Sequence, residues 1–154
     1  MQELLAESEF RRTHKHLENK FLKLKFADCP VSTTLGVLGK KWSLLILRDI
    51  SSYKVGRFNR LLESLPGIPP KVLATRLKEL QQEGLIWPVE NRRSHPKVVR
   101  WALTEKGMDA VAIIMMIAAY GSKWYADRVF DDKKPRKLCE FLNEDAMKLI
   151  ESFL

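Results

Sequence analysis

Cysteine is scarce in this 154-residue chain. There are two, Cys29 and Cys139, and they form no CxxC pair. A structural zinc site takes about four ligands, and two cysteines with His14, His16 and His95 scattered along the chain offer no accepted spacing, so no metal is expected. Long apolar runs are also missing: the longest, Ala110 to Tyr120, has eleven residues. A bilayer crossing needs roughly 18 to 20, so no transmembrane helix and no membrane partner are expected. The first residues carry Glu3, Glu7 and Glu9 instead of a basic region ahead of an apolar stretch, so the chain reads as cytoplasmic without a secretory signal. No glycine-rich phosphate loop, GxSxG, HExxH or suitably spaced carboxylate pair occurs. The isolated acids are expected at helix starts or on exposed faces, and the protein reads as a non-enzyme without a cofactor.

What the chain does have is core-forming material and positive charge. Hydrophobic residues make up 45% of it, enough for one domain or one domain with extensions. The net charge is +8, and residues 29–127 hold fifteen Lys/Arg against eight Asp/Glu, hence +7 of the total. Such a segment suits a polyanion, because each neutralised phosphate releases counterions. Charge alone fits a merely soluble basic surface equally well.

Residues 3–26 lack glycine and proline and read as one long helix. Phe10, Leu17 and Leu24 repeat every seven residues, with Phe21 four after Leu17, giving a narrow apolar stripe that wants a partner. A helix is expected over Val31–Leu38. In the next, around "KKWSLLILRDI", Trp42, Leu45, Ile46 and Ile50 share a face widened by Leu44 and Leu47. Arg57 and Phe58 are expected to form a minimal strand, with Asn59 capping a short helix.

The stretch "LPGIPPKVLATRLKELQQEGLI", residues 65–86, starts its helix near Pro70, a favoured first helical position, and ends it at Gly84. Leu73, Leu77 and Leu80 recur at i, i+4 and i+7 and point to a core, leaving Lys71, Thr75, Lys78 and Gln82 on the far face. The period then changes to two: Leu85, Trp87 and Val89 alternate, as do Val99, Trp101 and Leu103, the pattern of paired strands with one buried face. Trp42, Trp87 and Trp101 are therefore read as core. "ENRRSHPK" between the strands is a basic hairpin tip. Thr104 caps a helix from about Glu105 to Asp127, apolar almost all round from Ala110 to Tyr120, which a domain this small can bury only with a second copy of itself. "VFDDKKPRK" is a polar linker to a last amphipathic helix carrying Leu138, Phe141, Leu142, Leu149, Ile150 and Phe153.

The expected fold is mainly α with a small β-hairpin wing: a winged helix-turn-helix with additional N- and C-terminal helices. Residues 1–28 form an N-terminal helical extension, 29–104 the DNA-binding core, 105–127 a dimerisation helix, and 128–154 a linker and final helix. In such a fold the third helix lies in the major groove of double-stranded DNA and the hairpin reaches the backbone beside it. That places Pro70, Lys71, Ala74 and Thr75, in the first turns, closest to the bases, with Lys78 and Gln82 nearer phosphate or free. Arg76 flanks the buried stripe and either reaches phosphate or pairs with Glu79 or Glu83. Arg57, Arg92, Arg93, His95 and Lys97 are candidate phosphate or minor-groove contacts. Each of these also fits an ordinary solvated position.

The stretch "CPVSTTLGVLGKKWSLLILRDI", then "GRFNRLLESLPGIPPKVLATRLKELQQEGLI" and "VVRWALTEKG", resembles the HxlR family of prokaryotic winged-helix transcription regulators over 97 residues from Cys29 to about Tyr125. Its most specific pieces are "CPV", "KW" followed by "LLILR", "LPGI", "PKVL", "RLKEL" and "LTEKG". The resemblance implies a cytoplasmic homodimer joined through the helices flanking the winged core and bound to a two-fold or near two-fold operator. Repression is expected over activation, because a bound repressor needs only to occlude a promoter while activation requires a further contact. Candidate interface residues are Phe10, Leu17, Phe21, Leu24, Ile113, Ile114, Met116, Ile117, Tyr120 and Trp124. Some HxlR-type regulators use the cysteine equivalent to Cys29 to sense oxidants or electrophiles, so a redox or small-molecule effector is a candidate partner. Against that, Asp28 is adjacent, and many free cysteines are merely small apolar residues. Two features depart from the family: Pro69 stands where a capping serine is usual, and the wing tip reads "NRRSHPK". A winged-helix protein-interaction module, or a nucleic-acid binder without an operator, is the alternative reading.

Overall fold

The computed structural model describes residues 27–52, 55–91 and 98–137, and single positions Glu140, Glu144, Lys148 and Glu151 beyond them. The expected N-terminal helix with Phe10, Leu17, Phe21 and Leu24, the wing tip with Arg92, Arg93, His95 and Lys97, and the apolar positions of the expected last helix lie outside the described residues. The chain divides into two units, Met1–Gly36 and Val37–Leu154. In the first, helix α1 (Pro30–Leu38) begins, with Cys29 exposed before it. The Cys29 carbonyl accepts from the backbone N–H of Thr33 at 3.0 Å and from its hydroxyl at 3.1 Å.

The second unit contains α2 (Ser43–Ser52), α3 (Phe58–Ser64), α4 (Pro70–Gln82), β1 (Ile86–Asn91), β2 (Val98–Leu103), α5 (Glu105–Trp124) and the short α6 (Ala126–Val129). The strands form a two-stranded antiparallel hairpin in which Ile86 pairs with Leu103 and Asn91 with Val98. The periodicity of α4 gives what it promised: Leu73, Leu77 and Leu80 are all buried and meet Ile46, Leu47, Ile50, Leu61 and Ile86 in one core. Each leucine so buried contributes about 1.5–3 kcal/mol.

Several expectations need correction. Leu45 is exposed, because α2 opens at Ser43 and its buried stripe runs through Ile46, Leu47 and Ile50. Trp42 stands before that helix with φ at +82°, not on its face, though it packs half-buried against the core as expected. Asp49, expected on an exposed face with the other acids, is fully buried, and its Oδ1 accepts from Arg48 Nε at 2.7 Å. No strand forms at Arg57 and Phe58. Arg57 is itself the extended N-cap residue of α3, its carbonyl accepting from Leu61 N–H at 2.9 Å, so Asn59 falls inside the helix and caps nothing.

Trp87 is 51% exposed and is not core. Leu85 is buried, but in the turn before the sheet, so the strand's inward phase starts at Ile86, one residue later than the alternation suggested. A one-residue change of phase moves every side chain to the opposite face. Pairing puts Trp87 beside Ala102 on the outer face, while Trp101, opposite Pro88, packs on the core as expected.

Helix α5 is buried on one side only. Ala110, Val111 and Ala112 are buried, and Ile113 and Ile114, expected at a dimer interface, pack against the core of their own chain. Met116, Ile117, Tyr120 and Trp124 are each more than half exposed.

Candidate nucleic-acid interface

The outward face of α4 holds Lys71, Ala74, Thr75, Lys78, Gln81 and Gln82, all exposed, with Pro70 exposed at its first turn. Its entrance is set by "LPGIPP". Gly67 adopts φ +88°, a conformation that costs a side chain dearly, and the Ile68 N–H returns to Leu65 O at 3.1 Å, closing the turn from α3. Pro69 has φ −69° and ψ 141° and makes no side-chain cap. Its ring therefore supplies the extended cap geometry that a serine would otherwise hold, and Pro70 brings no N–H that needs a partner.

The other end is closed by Gly84 at φ +70°, where Gly84 N–H donates to Gln81 O at 3.0 Å and Leu85 N–H to Leu80 O at 2.9 Å. These two bonds, with Leu80 and Leu85 both buried, make a Schellman motif. The Thr104 hydroxyl donates to Gly84 O at 2.6 Å and Lys106 Nζ to Glu83 O at 2.7 Å, so the start of α5 grips the end of α4. Thr104 also caps α5, as expected, by accepting from Gly107 N–H at 3.0 Å.

Arg76 has two destinations in the structure, and both are protein. Its Nε donates to Lys41 O at 3.1 Å and its Nη1 to the Glu79 carboxylate, which Lys40 Nζ approaches to 3.4 Å. The hydrogen bond from Arg76, opposed by partial desolvation and aided by the charges of Arg76 and Lys40, holds the Glu79 carboxyl below the ordinary glutamate range. This polar clamp ties the inner edge of α4 to the segment before α2. It explains why "KKW" and "RLKEL" belong together, and leaves Lys71, Thr75, Lys78, Gln81 and Gln82 as the exposed polar positions of α4.

Arg57 is exposed and lines a shallow groove of about 390 Å³ together with Val55, Gly56, Arg60 and Arg100. Sequence reading did not single out Arg60 and Arg100. Two signals were available: Arg60 lies within the first turn of the helix that Arg57 caps, and Arg100 alternates with Trp101 and so faces away from the core.

The family model for the HxlR-like helix-turn-helix matches residues 37–129. The chain is 34% identical over 112 residues to the HTH-type transcriptional regulator YdeP of Bacillus subtilis, itself uncharacterized, covering 73% of this chain and 85% of that protein. Among solved structures, the reduced form of the transcriptional regulator YodB from B. subtilis is 30% identical with a TM-score of 0.52, covering 64% of this chain and 92% of that one. The redox regulator HypR in its oxidized form is 29% identical with a TM-score of 0.53, covering 60% and 94%.

Proposed function

Because the chain belongs to the HxlR-like helix-turn-helix family of transcriptional regulators, we propose that it is a homodimeric repressor that reads an operator with α4 and grips the adjacent backbone with a basic wing. The observation that carries this reading is the division of α4: three buried leucines on one side, an uninterrupted exposed set from Lys71 to Gln82 on the other. A helix held so firmly at its back, and locked at its C-terminal end by Thr104 and Lys106, presents a rigid polar edge of the size a major groove admits. Lys71 and Thr75 stand in its first turns, the part that approaches base edges. Repression needs only occlusion of a promoter.

The exposed end of α5 supports a second copy as partner. Met116, Ile117, Tyr120 and Trp124 stand with Tyr125 and Val129 as exposed apolar positions in the last turns of α5 and in α6. The Tyr120 and Tyr125 rings meet edge to face at 6.1 Å, and Lys123 Nζ lies 4.9 Å from the Trp124 ring. Apolar positions gathered like this on a small protein mark an association surface. Sedimentation of the full chain at micromolar concentration is expected to show a dimer, and Ile117→Lys with Tyr120→Lys a monomer that keeps its helical circular dichroism. A monomeric wild type, or a dimeric variant, would remove the interface.

Two α4 helices related by a two-fold axis enter successive major grooves about 34–36 Å apart on one side of the duplex. Hydroxyl-radical footprinting on DNA upstream of the gene tests this directly. Two protected patches one helical turn apart on the same face are expected, and continuous protection with no phase would contradict it.

Cys29, an exposed thiol ahead of α1, is a candidate site of redox control, a reading supported by the likeness to HypR. Diamide is expected to change operator affinity in the wild type and leave Cys29→Ser unaffected. The same response in both proteins would remove Cys29 from the account.

A further inference from the structure

Resting on the DNA-binding reading above, we propose that the groove of Arg57, Arg60 and Arg100 holds a backbone phosphate of the duplex, a contact separate from both α4 and the wing tip. The groove exists because two distant pieces of chain are pinned together. Trp101 N–H donates to Gly56 O at 2.8 Å, and a Cβ at position 56 would lie 2.3 Å from Trp101 O, so only glycine admits this approach. The residues flanking that contact are Arg57 and Arg100. Arg60 follows one turn into α3, on the side of Arg57.

Among the described residues, neither Arg57 nor Arg100 has a carboxylate partner, and Arg60 has only Glu63, at 3.0 Å, in a pair whose side chains are 70% and 63% exposed. An exposed pair of this kind contributes little and yields readily to a stronger anion. Three guanidinium forks around one depression match phosphate oxygens in geometry as well as charge. Among the described residues of the lining, Val55 is the one apolar side chain, and these residues do not enclose the body of an organic ligand, which needs burial over most of its surface. A phosphate carried on a long polymer needs no such enclosure. The placement agrees: α3 is the first helix of the helix-turn-helix, the one that crosses the backbone, and Arg100 lies on the outer face of the wing.

The test uses the full chain with Arg57→Ala, Arg60→Ala and Arg100→Ala combined, titrated against native upstream and shuffled duplexes at several salt concentrations. A comparison variant, K133A/K134A/K137A, removes the same charge beyond α6. At physiological salt the arginine variant is expected to lose about tenfold in affinity on both duplexes alike. Its log-log salt slope should become shallower by about 2, one phosphate for each protomer of a dimer. The comparison variant should keep the wild-type slope, and Arg→Lys at the three positions should recover the slope but only part of the affinity. A second arm follows the thermal stability of wild type and variant with millimolar pyrophosphate. Wild-type slope and affinity in a folded arginine variant would overturn the proposal while leaving the DNA-binding reading intact, as would equal losses in both triple variants. Pyrophosphate stabilising the wild type alone, with DNA binding unchanged, would make the ligand a free phosphate compound and overturn it too. A wild type that binds neither duplex would instead refute the underlying reading, and the phosphate contact with it.

Discussion

Gly107→Ala is expected to lose about 3 kcal/mol of stability or more, because its methyl group has nowhere to go. A Cβ built at Gly107 lies 2.0 Å from Leu85 O and 3.1 Å from the Leu85 carbonyl carbon, both backbone atoms that cannot swing aside. Moving α5 away would stretch three contacts at once: Thr104 N–H to Leu85 O at 3.1 Å, the Thr104 hydroxyl to Gly84 O, and the cap that Thr104 makes to Gly107 itself. Each such bond contributes about 0.5–1.5 kcal/mol, in a fold whose total margin is roughly 5–15 kcal/mol. Thermal melting followed by circular dichroism should show a midpoint lowered by about 10 °C. Gly36→Ala, with open space around its Cβ inside α1, is expected to leave the midpoint unchanged or raise it slightly. An unchanged midpoint in Gly107→Ala would mean that α5 does not sit against Leu85 as described.

The second large effect belongs to DNA discrimination. Lys71→Ala with Thr75→Ala should reduce the preference for the native duplex over a shuffled one by roughly ten- to a hundredfold, since each good base contact contributes about 1–3 kcal/mol. Neither side chain supports the fold. Both are exposed, and the Thr75 hydroxyl bonds only to Lys71 O, at 2.9 Å, within its own helix. Stability should therefore hold while specificity falls. Arg92→Ala with Arg93→Ala at the wing tip should do the reverse, weakening binding to every sequence and flattening its salt dependence. Equal losses on native and shuffled DNA from both variants would contradict the division between a base-reading helix and a phosphate-holding wing.

How much of this was legible beforehand depended on whether the decisive interaction was local. Helix α4 could be read almost to the residue, because its leucine period, Pro70 and Gly84 act within one helix and its caps. Thr104 was legible for the same reason. Trp87 was misread because Leu85 continues the two-residue alternation, yet it is claimed by the Schellman turn at the end of α4. A three-dimensional motif there sets the strand's phase. The clamp joining Arg76, Glu79 and Lys40 spans 36 to 39 residues of sequence, and only its i,i+3 half leaves a local trace. Asp49 sits inside an otherwise apolar stripe, with no pattern to announce that its carboxylate turns inward beside Arg48. In the sequence Gly56 reads as an ordinary turn glycine and Gly107 as a glycine in the first turn of a helix, and only the distances to Trp101 and Leu85 show that each is a point of contact between elements.

The central claim is that α4 recognises a sequence and does more than attach to charge. Fluorescence-anisotropy titration of the wild type against DNA from upstream of its own gene and against the same bases shuffled, repeated across salt concentrations, tests it most directly. The account predicts a preference for the native duplex of about a hundredfold or more that persists as salt rises and total affinity falls. Equal affinity for the two duplexes, falling together with salt, would contradict it and leave a binder of phosphate alone.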